Sequence, residues 1–281
     1  MDKTIIRLDN IAKSFGNVRV IHHISFSIEA GKVYALAGEN GAGKSTLCNI
    51  ISGSLKPDEG TISYGDKEYS SFTIQQAKEI GIKMVHQELQ ILPLMNVEEN
   101  IFIGEESSRR GFVNKKEMRK RSLELLEMVG LNAQPETKVA EIEIAGRQLL
   151  EIARAINHNA RIIILDEPTA GLDPVGISEL MHLLQDVCRQ QHTTIILSTH
   201  DIDVVPIYAD VIDVMDKGHM VAHGTPAEIF AQPELLREHH LRLPRISHLL
   251  EILHKEDHWD VDASISTISG ARKELLRHAA E

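Results

Sequence analysis

The sequence has few cysteines, few aromatic residues and fewer basic than acidic side chains. Its 2 cysteines, Cys48 and Cys188, are too few for a disulfide framework and both fall in predicted helices, which favours a reducing compartment. The 30 Lys and Arg residues against 41 Asp and Glu residues give a formal net charge of −11, so the chain lacks the broad positive field that non-specific nucleic-acid binding requires. No stretch reaches the roughly 18 apolar residues of a membrane span, and the first residues include no apolar signal core. We therefore expect a cytoplasmic globular chain that does not bind nucleic acid.

Short apolar runs alternate with helical patterns, which predicts an α/β fold with a mostly parallel core sheet covered on both faces. Core strands are predicted at 33–37, 82–86, 162–165 and 194–197, and helices at 45–52, 115–129 and 175–189. Strand-like runs at 4–8 and 18–28 predict an antiparallel β subdomain at the N-terminus. No further core strand is predicted after these, because glycines and Pro226 interrupt the segment that follows.

Three helical segments lie outside this alternation. Residues 97–140 are helical in pattern and highly charged, and they separate two core strands, which predicts an inserted helical subdomain. A second helical pattern over 227–250 is interrupted by Pro233 and Pro244, and a final helix is predicted near 270–280. Together these last segments predict a C-terminal helical extension.

A phosphate-binding motif follows the first core strand. The run Gly-Glu-Asn-Gly-Ala-Gly-Lys-Ser-Thr matches the pattern G-x-x-x-x-G-K-[ST], and its strand-to-helix context distinguishes it from a chance match. In such a loop, backbone N–H groups and the helix N-terminus face the phosphates, the lysine reaches the β and γ phosphates, and the following hydroxyl ligates Mg²⁺. The predicted nucleotide-binding residues are Gly38, Asn40, Gly41, Ala42, Gly43, Lys44, Ser45 and Thr46, with Ser45 also a metal ligand.

Two other strand ends carry polar side chains suited to work on a bound nucleotide. The strand at 162–165 is followed by Asp166 and Glu167, and the strand at 194–197 is followed, after a Ser-Thr pair, by His200. In an open parallel sheet the carboxyl ends of the strands gather at one edge. We predict that Asp166 holds Mg²⁺ through water, that Glu167 orients and deprotonates the attacking water, and that His200 hydrogen-bonds the γ-phosphate. The alternative, two solvated acids at a strand end, is disfavoured by the phosphate loop.

His254 and His258 have the i, i+4 spacing of metal ligands on a helix. The charged residues between them indicate a solvated helix face instead, and no metal site is predicted there.

With these motifs in this order, the chain resembles the ATP-binding subunit of an ABC transporter over residues 3–250. The resemblance implies a P-loop NTPase domain over 1–240, with its helical subdomain at about 97–158, and an extension over 241–281. It implies ATP and Mg²⁺ as cofactors, and a head-to-tail dimer with each ATP between one phosphate loop and the partner's signature motif. The resemblance also implies that ATP closes the dimer, that hydrolysis reopens it, and that the motion passes to membrane subunits through a groove beside the Gln87 loop.

Four residues take further roles from this resemblance. Phe15 matches the aromatic residue that stacks on adenine, with an ordinary core or surface phenylalanine as the alternative. Gln87 matches the catalytic glutamine that approaches Mg²⁺ and links the site to the helical subdomain. Asp173 matches the acid of the loop that crosses to the partner subunit, and His200 matches the switch histidine.

The chain departs from the family pattern at the signature motif, which is usually Leu-Ser-Gly-Gly-Gln. Its place is taken by Ile142, Glu143, Ile144, Ala145 and Gly146. Glu143 replaces the serine that would hydrogen-bond the γ-phosphate. Two unit charges about 4 Å apart repel by roughly 4 kcal/mol at an effective dielectric constant of about 20, so Glu143 would weaken ATP-driven closure of the site that it faces. We hypothesise a heterodimer whose other subunit has an intact signature, with a homodimer as the alternative.

The resemblance changes in character along the chain. Residues 3–160, including the run 86–89, are most similar to monosaccharide-importer ATPases, whereas the runs 169–174 and 241–245 are more similar to cobalt/nickel energy-coupling-factor ATPases. This implies a peripheral ATPase at the cytoplasmic face of a prokaryotic membrane, working with a permease or coupling subunit to import a monosaccharide or a cobalt or nickel ion. The alternative is a nucleotide-dependent clamp or regulatory subunit whose hydrolysis Glu143 impairs. An ABC ATPase acting on DNA or ribosomes is disfavoured, because the chain has no basic tracts and no long coiled-coil insertion.

Overall fold

Strands and helices alternate in the computed structural model, which describes residues 4–104, 108–109, 112–239 and 241–279. Within these ranges the strands are β1 (Thr4–Phe15), β2 (Val18–Glu29), β3 (Val33–Ala37), β4 (Glu59–Tyr64), β5 (Lys67–Tyr69), β6 (Ile82–Val85), β7 (Ser108–Arg109), β8 (Phe112–Val113), β9 (Ile162–Asp166), β10 (Thr194–Thr199), β11 (Val211–Asp216) and β12 (His219–Gly224). The helices are α1 (Lys44–Ile51), α2 (Ile74–Ile80), α3 (Val97–Phe102), α4 (Lys115–Met128), α5 (Ile144–Asn157), α6 (Pro174–Gln191), α7 (Val205–Tyr208), α8 (Pro226–Phe230), α9 (Pro233–Glu238), α10 (Arg245–Lys255) and α11 (Ile268–His278), with a short 3₁₀ helix at Val139–Glu141. Both cysteines lie in helices as predicted, and both are buried free thiols.

The core sheet has six strands in the order β12–β11–β3–β10–β9–β6. Neighbouring strands are parallel throughout, except that β12 runs antiparallel to β11. β3 and β9 are buried along their whole length, as expected for strands of a parallel sheet that is covered on both faces. The predicted mostly parallel α/β core is therefore confirmed.

The register of the core sheet brings several strand ends to one edge. Ser198 of β10 pairs with Asp166 of β9, and Thr199 pairs with Ala37 of β3. Because these strands are parallel, the loops that follow them leave the sheet at neighbouring points. The residues of the predicted site are thereby brought together from distant parts of the sequence.

A second, antiparallel sheet has the order β2–β1–β4–β5, which confirms the predicted N-terminal β subdomain. β1 extends to Phe15, well beyond the predicted end at residue 8, and its register with β2 is irregular at several points. Apolar residues of this sheet, of α1 and of one face of the core sheet form one buried cluster that includes Ile21, Leu47 and Ile196. The helix after the phosphate loop is thus packed between the two sheets.

The turn between β11 and β12 joins the antiparallel sheet to the phosphate loop. The N–H of Gly218 donates to the Ala42 carbonyl at 2.9 Å, and the N–H of His22 donates to the Gly218 carbonyl at 2.8 Å. Gly218 has a φ of +80°, and a Cβ at this position would collide with the Val20 carbonyl. Glycine is therefore required both by the backbone conformation and by the close approach of β2.

The segment between β6 and β9 contains α3, α4, the 3₁₀ helix and α5, in agreement with a helical insertion. It also contains a two-stranded antiparallel hairpin of β7 and β8, which the sequence did not predict. Each of these strands has two residues, too few to give an alternating pattern.

The prediction that the core sheet ends with β10 is wrong, because β11 and β12 follow it. β11 pairs with β3 inside the sheet, but the fully buried carboxylate of Asp213 lies in the middle of its apolar run. β12 is the outer strand and is only partly buried. Neither strand has the continuous apolar run of β3 and β9.

The C-terminal extension is helical, but its helices differ from the predicted ones. The single interrupted helix predicted over 227–250 is replaced by α8, α9 and α10, and 241–244 is not helical, in keeping with the restriction that Pro244 places on the residue before it. Leu241 and Leu243 are buried in the main core cluster, whereas α10 and α11 form a small cluster of their own around Leu250. In the part of the chain that the structure describes, no helix is both long enough and apolar enough to cross a membrane.

Candidate functional site

The phosphate-binding motif forms a loop between β3 and α1. Gly41 and Gly43 have φ values of +87° and +101°, in the region that favours glycine. A Cβ on Gly38 would collide with the Met215 carbonyl of β11. The motif glycines therefore permit a tight turn that ends directly at the N-terminus of α1, where backbone N–H groups are available to an anion.

Lys44 lies in the centre of this loop with only 5% of its side chain exposed. Its ammonium donates to the carbonyls of Gly38 at 2.8 Å and Glu39 at 3.2 Å. The same nitrogen lies 3.3 Å from Oε1 of Glu167. The phosphate loop and the acidic end of β9 therefore meet at this lysine, as predicted.

Asp166 is held by two hydroxyl groups from different elements. Its Oδ1 accepts hydrogen bonds from Ser45 Oγ at 3.0 Å and from Ser198 Oγ at 2.5 Å. Behind them, burial raises the pKa of the Cys48 thiol, and the negative charge of Asp166 adds to this effect. Asp166 and Ser45, both predicted as metal ligands, thus lie within hydrogen-bonding distance of each other.

Glu167 has a left-handed backbone, with φ of +50°, which is uncommon outside glycine and occurs often at functional sites. Its N–H donates to Ser198 Oγ at 3.0 Å. Its Oε2 lies 2.9 Å from His200 Nδ1, while Oε1 is buried and has no hydrogen-bond partner among the described residues. The carboxylate is therefore oriented by His200 on one side and by the Lys44 charge on the other.

Ser198 is a site residue that the sequence did not predict. It is fully buried and contacts both acids. The signal that would have found it is the parallel register of β9 and β10, which places Ser198 opposite Asp166.

Gln87 and Phe15 do not contact this cluster. Gln87 is exposed shortly after β6, at the sheet edge where the site lies, and no hydrogen bond of its side chain is found in the described part of the chain. Phe15 ends β1 with 51% of its surface exposed, and the Lys13 ammonium lies 5.7 Å from its ring centroid. Its ring therefore presents an accessible face rather than filling the core.

The five residues that replace the signature motif lie at the start of α5. Ile142 is buried, Ile144 is 61% exposed, and Ala145 and Gly146 are half-buried. Glu143 is the N-cap residue, exposed and with no side-chain capping bond. Its carboxylate therefore stands at the positive end of a 14-residue helix and points away from the core of its own chain.

Asp173 has a local structural role. Its Oδ1 accepts a 2.7 Å hydrogen bond from the N–H of Gly176 and caps α6. A cap of this kind explains an aspartate before Pro174 without any partner subunit.

His254 and His258 do not lie on one helix face, because α10 ends at Lys255. His254 Nδ1 bonds instead to the Trp259 carbonyl at 3.1 Å. The i, i+4 spacing on a helix is therefore not realised.

Comparison with known proteins gives relatives of two kinds. A family profile described as ABC transporter matches residues 21–170. The energy-coupling factor transporter ATP-binding protein EcfA3 of Clostridium perfringens is 35% identical over 283 residues, which cover 98% of this chain and 96% of that protein. The ribose import ATP-binding protein RbsA of Corynebacterium glutamicum is 37% identical over 233 residues, which cover 83% of this chain and 44% of RbsA.

Solved structures agree with these relatives. The structure of cbiO1 from Clostridium perfringens, part of the ABC transporter complex cbiONQ, is 33% identical with a TM-score of 0.74, and covers 89% of this chain and 100% of its own. A dimeric structure of the ATP-binding cassette MJ0796 with ADP and Pi is 27% identical with a TM-score of 0.68, and covers 79% of this chain and 98% of its own. The fold is that of an ATP-binding cassette with a P-loop NTPase core. The chain belongs to the family of ABC transporter ATP-binding proteins, which are ATPases coupled to transport.

Proposed function

We propose that this chain hydrolyses ATP at the Lys44 loop and energises a membrane importer from the cytoplasmic face. The observation that carries the proposal is the meeting of Lys44, Asp166, Glu167 and His200 at one edge of the core sheet. Three separate segments of the sequence supply these groups, and each has the chemistry that phosphoryl transfer to water needs.

The geometry supports a division of roles in hydrolysis. The loop N–H groups and the Lys44 ammonium bind and neutralise the β and γ phosphates. The Glu167 carboxylate, whose Oε1 accepts no hydrogen bond from the described residues and lies 3.3 Å from the Lys44 ammonium, accepts a proton from the attacking water as general base. His200 fixes the orientation of that carboxylate through its 2.9 Å contact and hydrogen-bonds the γ-phosphate. In this scheme Phe15 stacks on adenine and Gln87 reaches the site from the end of β6.

The residues around Asp166 fit a magnesium ion. The Ser45 hydroxyl and the Asp166 carboxylate converge within 3.0 Å, and both are hard oxygen donors of the kind that Mg²⁺ prefers. When bound, Mg²⁺ would neutralise charge on the β and γ phosphates. Ser45 and Asp166 would hold it, and Ser198 would fix the Asp166 carboxylate.

Two variants test the hydrolytic role. Lys44→Ala removes the phosphate-binding charge and should abolish ATP binding, whereas Glu167→Gln should bind ATP, form an ATP-dependent dimer and lose hydrolysis by roughly 100-fold or more. Matched controls are Lys116→Ala and Glu68→Gln, both at exposed positions. Binding is measured by calorimetry, dimerisation by light scattering and turnover by phosphate release. Unchanged ATP binding by Lys44→Ala would contradict the proposal.

We further propose that the partner ATPase is a different chain with an intact signature motif. Glu143 is exposed at the N-cap of α5, so in a head-to-tail dimer its charge would face the partner's nucleotide and slow closure there. Glu143→Ser should raise ATP turnover of the chain studied alone, and Glu141→Ser, at a neighbouring exposed position, should not. Brisk turnover of the unmutated chain that Glu143→Ser leaves unchanged would contradict this arrangement.

The membrane partner decides the imported substrate, and the comparisons favour an energy-coupling-factor type. The energy-coupling relative matches nearly the whole chain, extension included, whereas the ribose import relative matches 83% of it. The cargo on this assignment is a cobalt or nickel ion, and a monosaccharide on the other. Affinity purification of the full chain from its own membranes tests this: a coupling subunit supports the assignment, and a sugar permease overturns it.

A further inference from the structure

The loop that carries His200 is ordered by hydrogen bonds from the backbone N–H groups of Asp201 and Asp203. The N–H of Asp201 donates to Thr199 Oγ1 at 2.9 Å, and the N–H of Asp203 donates to Asp201 Oδ1 at 3.1 Å. His200 lies between these bonds with its imidazole against Glu167. Any displacement of this short loop therefore displaces the histidine.

Asp203 connects that loop to the C-terminal extension. Its Oδ1 accepts a 2.8 Å bond from the Arg245 N–H, at the first turn of α10, and its Oδ2 accepts a 3.0 Å bond from the Arg242 guanidinium. The Arg245 Nε lies 3.3 Å from the same Oδ2. Pro244 occupies the N-cap position without a capping side chain, so Asp203 supplies the acceptor that this helix end otherwise lacks.

The attachment has an apolar side as well. Leu241 and Leu243 flank Arg242 and are buried in the main core, in the same cluster as Ile202 and Val205 from either side of Asp203. The segment 241–245 is thus fixed by packing while its arginines hold the carboxylate. The Arg242 and Arg245 side chains are 59% and 80% exposed, but both reach the same carboxylate, and a network of charges contributes more than an isolated surface pair.

We propose that Asp203 and Arg242 are positioning residues, through which the C-terminal extension holds the His200 loop against Glu167 and so controls the rate of hydrolysis. The inference rests on the proposed function in one respect, since it takes Glu167 and His200 to act in ATP turnover. It assigns the extension a regulatory role: a partner that moves segment 241–245 would change the position of His200 without touching the nucleotide.

The test uses the full chain with Arg242→Ala, Arg242→Lys and Asp203→Asn. Arg272→Ala is the matched control, since Arg272 is exposed on α11 with no side-chain bond among the described residues. We expect Arg242→Ala to lower kcat roughly tenfold, since small misplacements near reacting groups are costly, with the Kd for ATP within about twofold. Arg242→Lys should restore part of the rate because it keeps the charge. Hydrogen–deuterium exchange over residues 199–205 should become faster in Arg242→Ala and Asp203→Asn, but not in Arg272→Ala.

Repeating the substitution in a His200→Ala chain separates a positioning role of Arg242 from general destabilisation. If Arg242 acts through the histidine, Arg242→Ala should lower kcat no further in a His200→Ala chain. If the two substitutions lower kcat independently, so that their fold losses multiply in the double variant, the inference is overturned. Unchanged hydrogen–deuterium exchange over 199–205 would also overturn it. A chain that does not bind or hydrolyse ATP at all would contradict the proposed function instead, and the exchange data would still decide whether the extension orders the loop.

Discussion

At the scale of single residues, Ser198 is the group that joins the two acids of the site. One hydroxyl donates to Asp166 Oδ1 and accepts from the Glu167 N–H, so it aligns the predicted metal ligand and the backbone of the predicted base at once. Because Ser198 is fully buried, water does not compete for these two hydrogen bonds.

Removing this hydroxyl should affect turnover more than binding. Ser198→Ala leaves a buried N–H and a carboxylate each without one bond, so we expect a loss of about 1–3 kcal/mol in unfolding free energy and a roughly tenfold loss in kcat. The Kd for ATP should remain near the unmutated value, because the Lys44 loop is intact. Urea denaturation, phosphate release and calorimetry measure these quantities, with Ser70→Ala, at an exposed position, as control. Equal losses in binding and turnover would contradict this assignment.

At the scale of secondary-structure elements, Asp173, the N-cap residue of α6, has two candidate roles. Asp173 caps the helix, and the family resemblance also places it in a loop that crosses to a partner. Asparagine keeps the capping acceptor and removes the charge, whereas alanine removes both.

The two substitutions should therefore separate the roles. Asp173→Ala should lower the unfolding free energy by about 1 kcal/mol, and Asp173→Asn should leave it nearly unchanged. If the charge contacts a partner subunit, both variants should weaken ATP-dependent dimerisation measured by light scattering. Normal dimerisation of Asp173→Asn would show that the residue serves only as a cap.

In the β11–β12 pair, a half-exposed histidine contacts a buried aspartate, and this contact should make stability depend on pH. His223 Nδ1 lies 2.7 Å from Asp213 Oδ1. The hydrogen bond to Asp213 raises the pKa of His223 above its ordinary value of 6.5, with Glu228 adding and Lys32 opposing. Burial raises the pKa of Asp213, against the opposing effect of His223.

The sign follows from these directions. A folded histidine with a raised pKa adds stability below its unfolded pKa, and this contribution is lost as the pH rises through the folded value. The melting temperature should therefore fall as the pH rises from about 6.5 through the raised pKa of folded His223, and fall less in His223→Gln. His248→Gln, at an exposed position of α10, should behave like the unmutated chain. An identical pH dependence in His223→Gln would exclude this pair as the cause.

At the scale of the whole molecule, the C-terminal extension is attached through the main core rather than by a free linker. Leu241 and Leu243 are buried, and they lie in the cluster that also contains residues of the core sheet. The stability of the ATPase core should therefore depend on the first residues of the extension.

A single truncation of a side chain checks this dependence. Leu241→Ala should lower the unfolding free energy of the main transition by about 2–5 kcal/mol, the usual cost of an unfilled core cavity. Leu249→Ala, where the leucine is 47% exposed, should have little effect. Urea denaturation followed by circular dichroism measures both. A main transition that Leu241→Ala does not move would show that the extension is only loosely attached.

Much of this arrangement was predictable from local sequence patterns. The strands β3, β9 and β10 are continuous apolar runs, and the phosphate loop and the Asp166–Glu167 pair follow such runs directly. β11 was missed because Asp213 interrupts it, and β7 and β8 because they are too short to show a period.

The missed parts of the site depend on pairings between distant segments. Ser198 faces Asp166 only through the register of two parallel strands. Arg242 meets Asp203 across 39 residues of sequence, and no local pattern in either segment predicts this contact. Contacts of this kind depend on tertiary packing, and local sequence patterns carry no information about it.

The glycine in the β11–β12 turn has a consequence for how mutations in this chain would be tolerated. Gly218 is bonded to both Ala42 and His22, and a single added methyl group would push β2 away from the phosphate loop. In a saturation library selected for growth on the imported nutrient, we expect position 218 to accept glycine alone. A screen for lost transport would then recover this turn alongside the proposed metal-binding and catalytic acids, Asp166 and Glu167, although it touches neither of them.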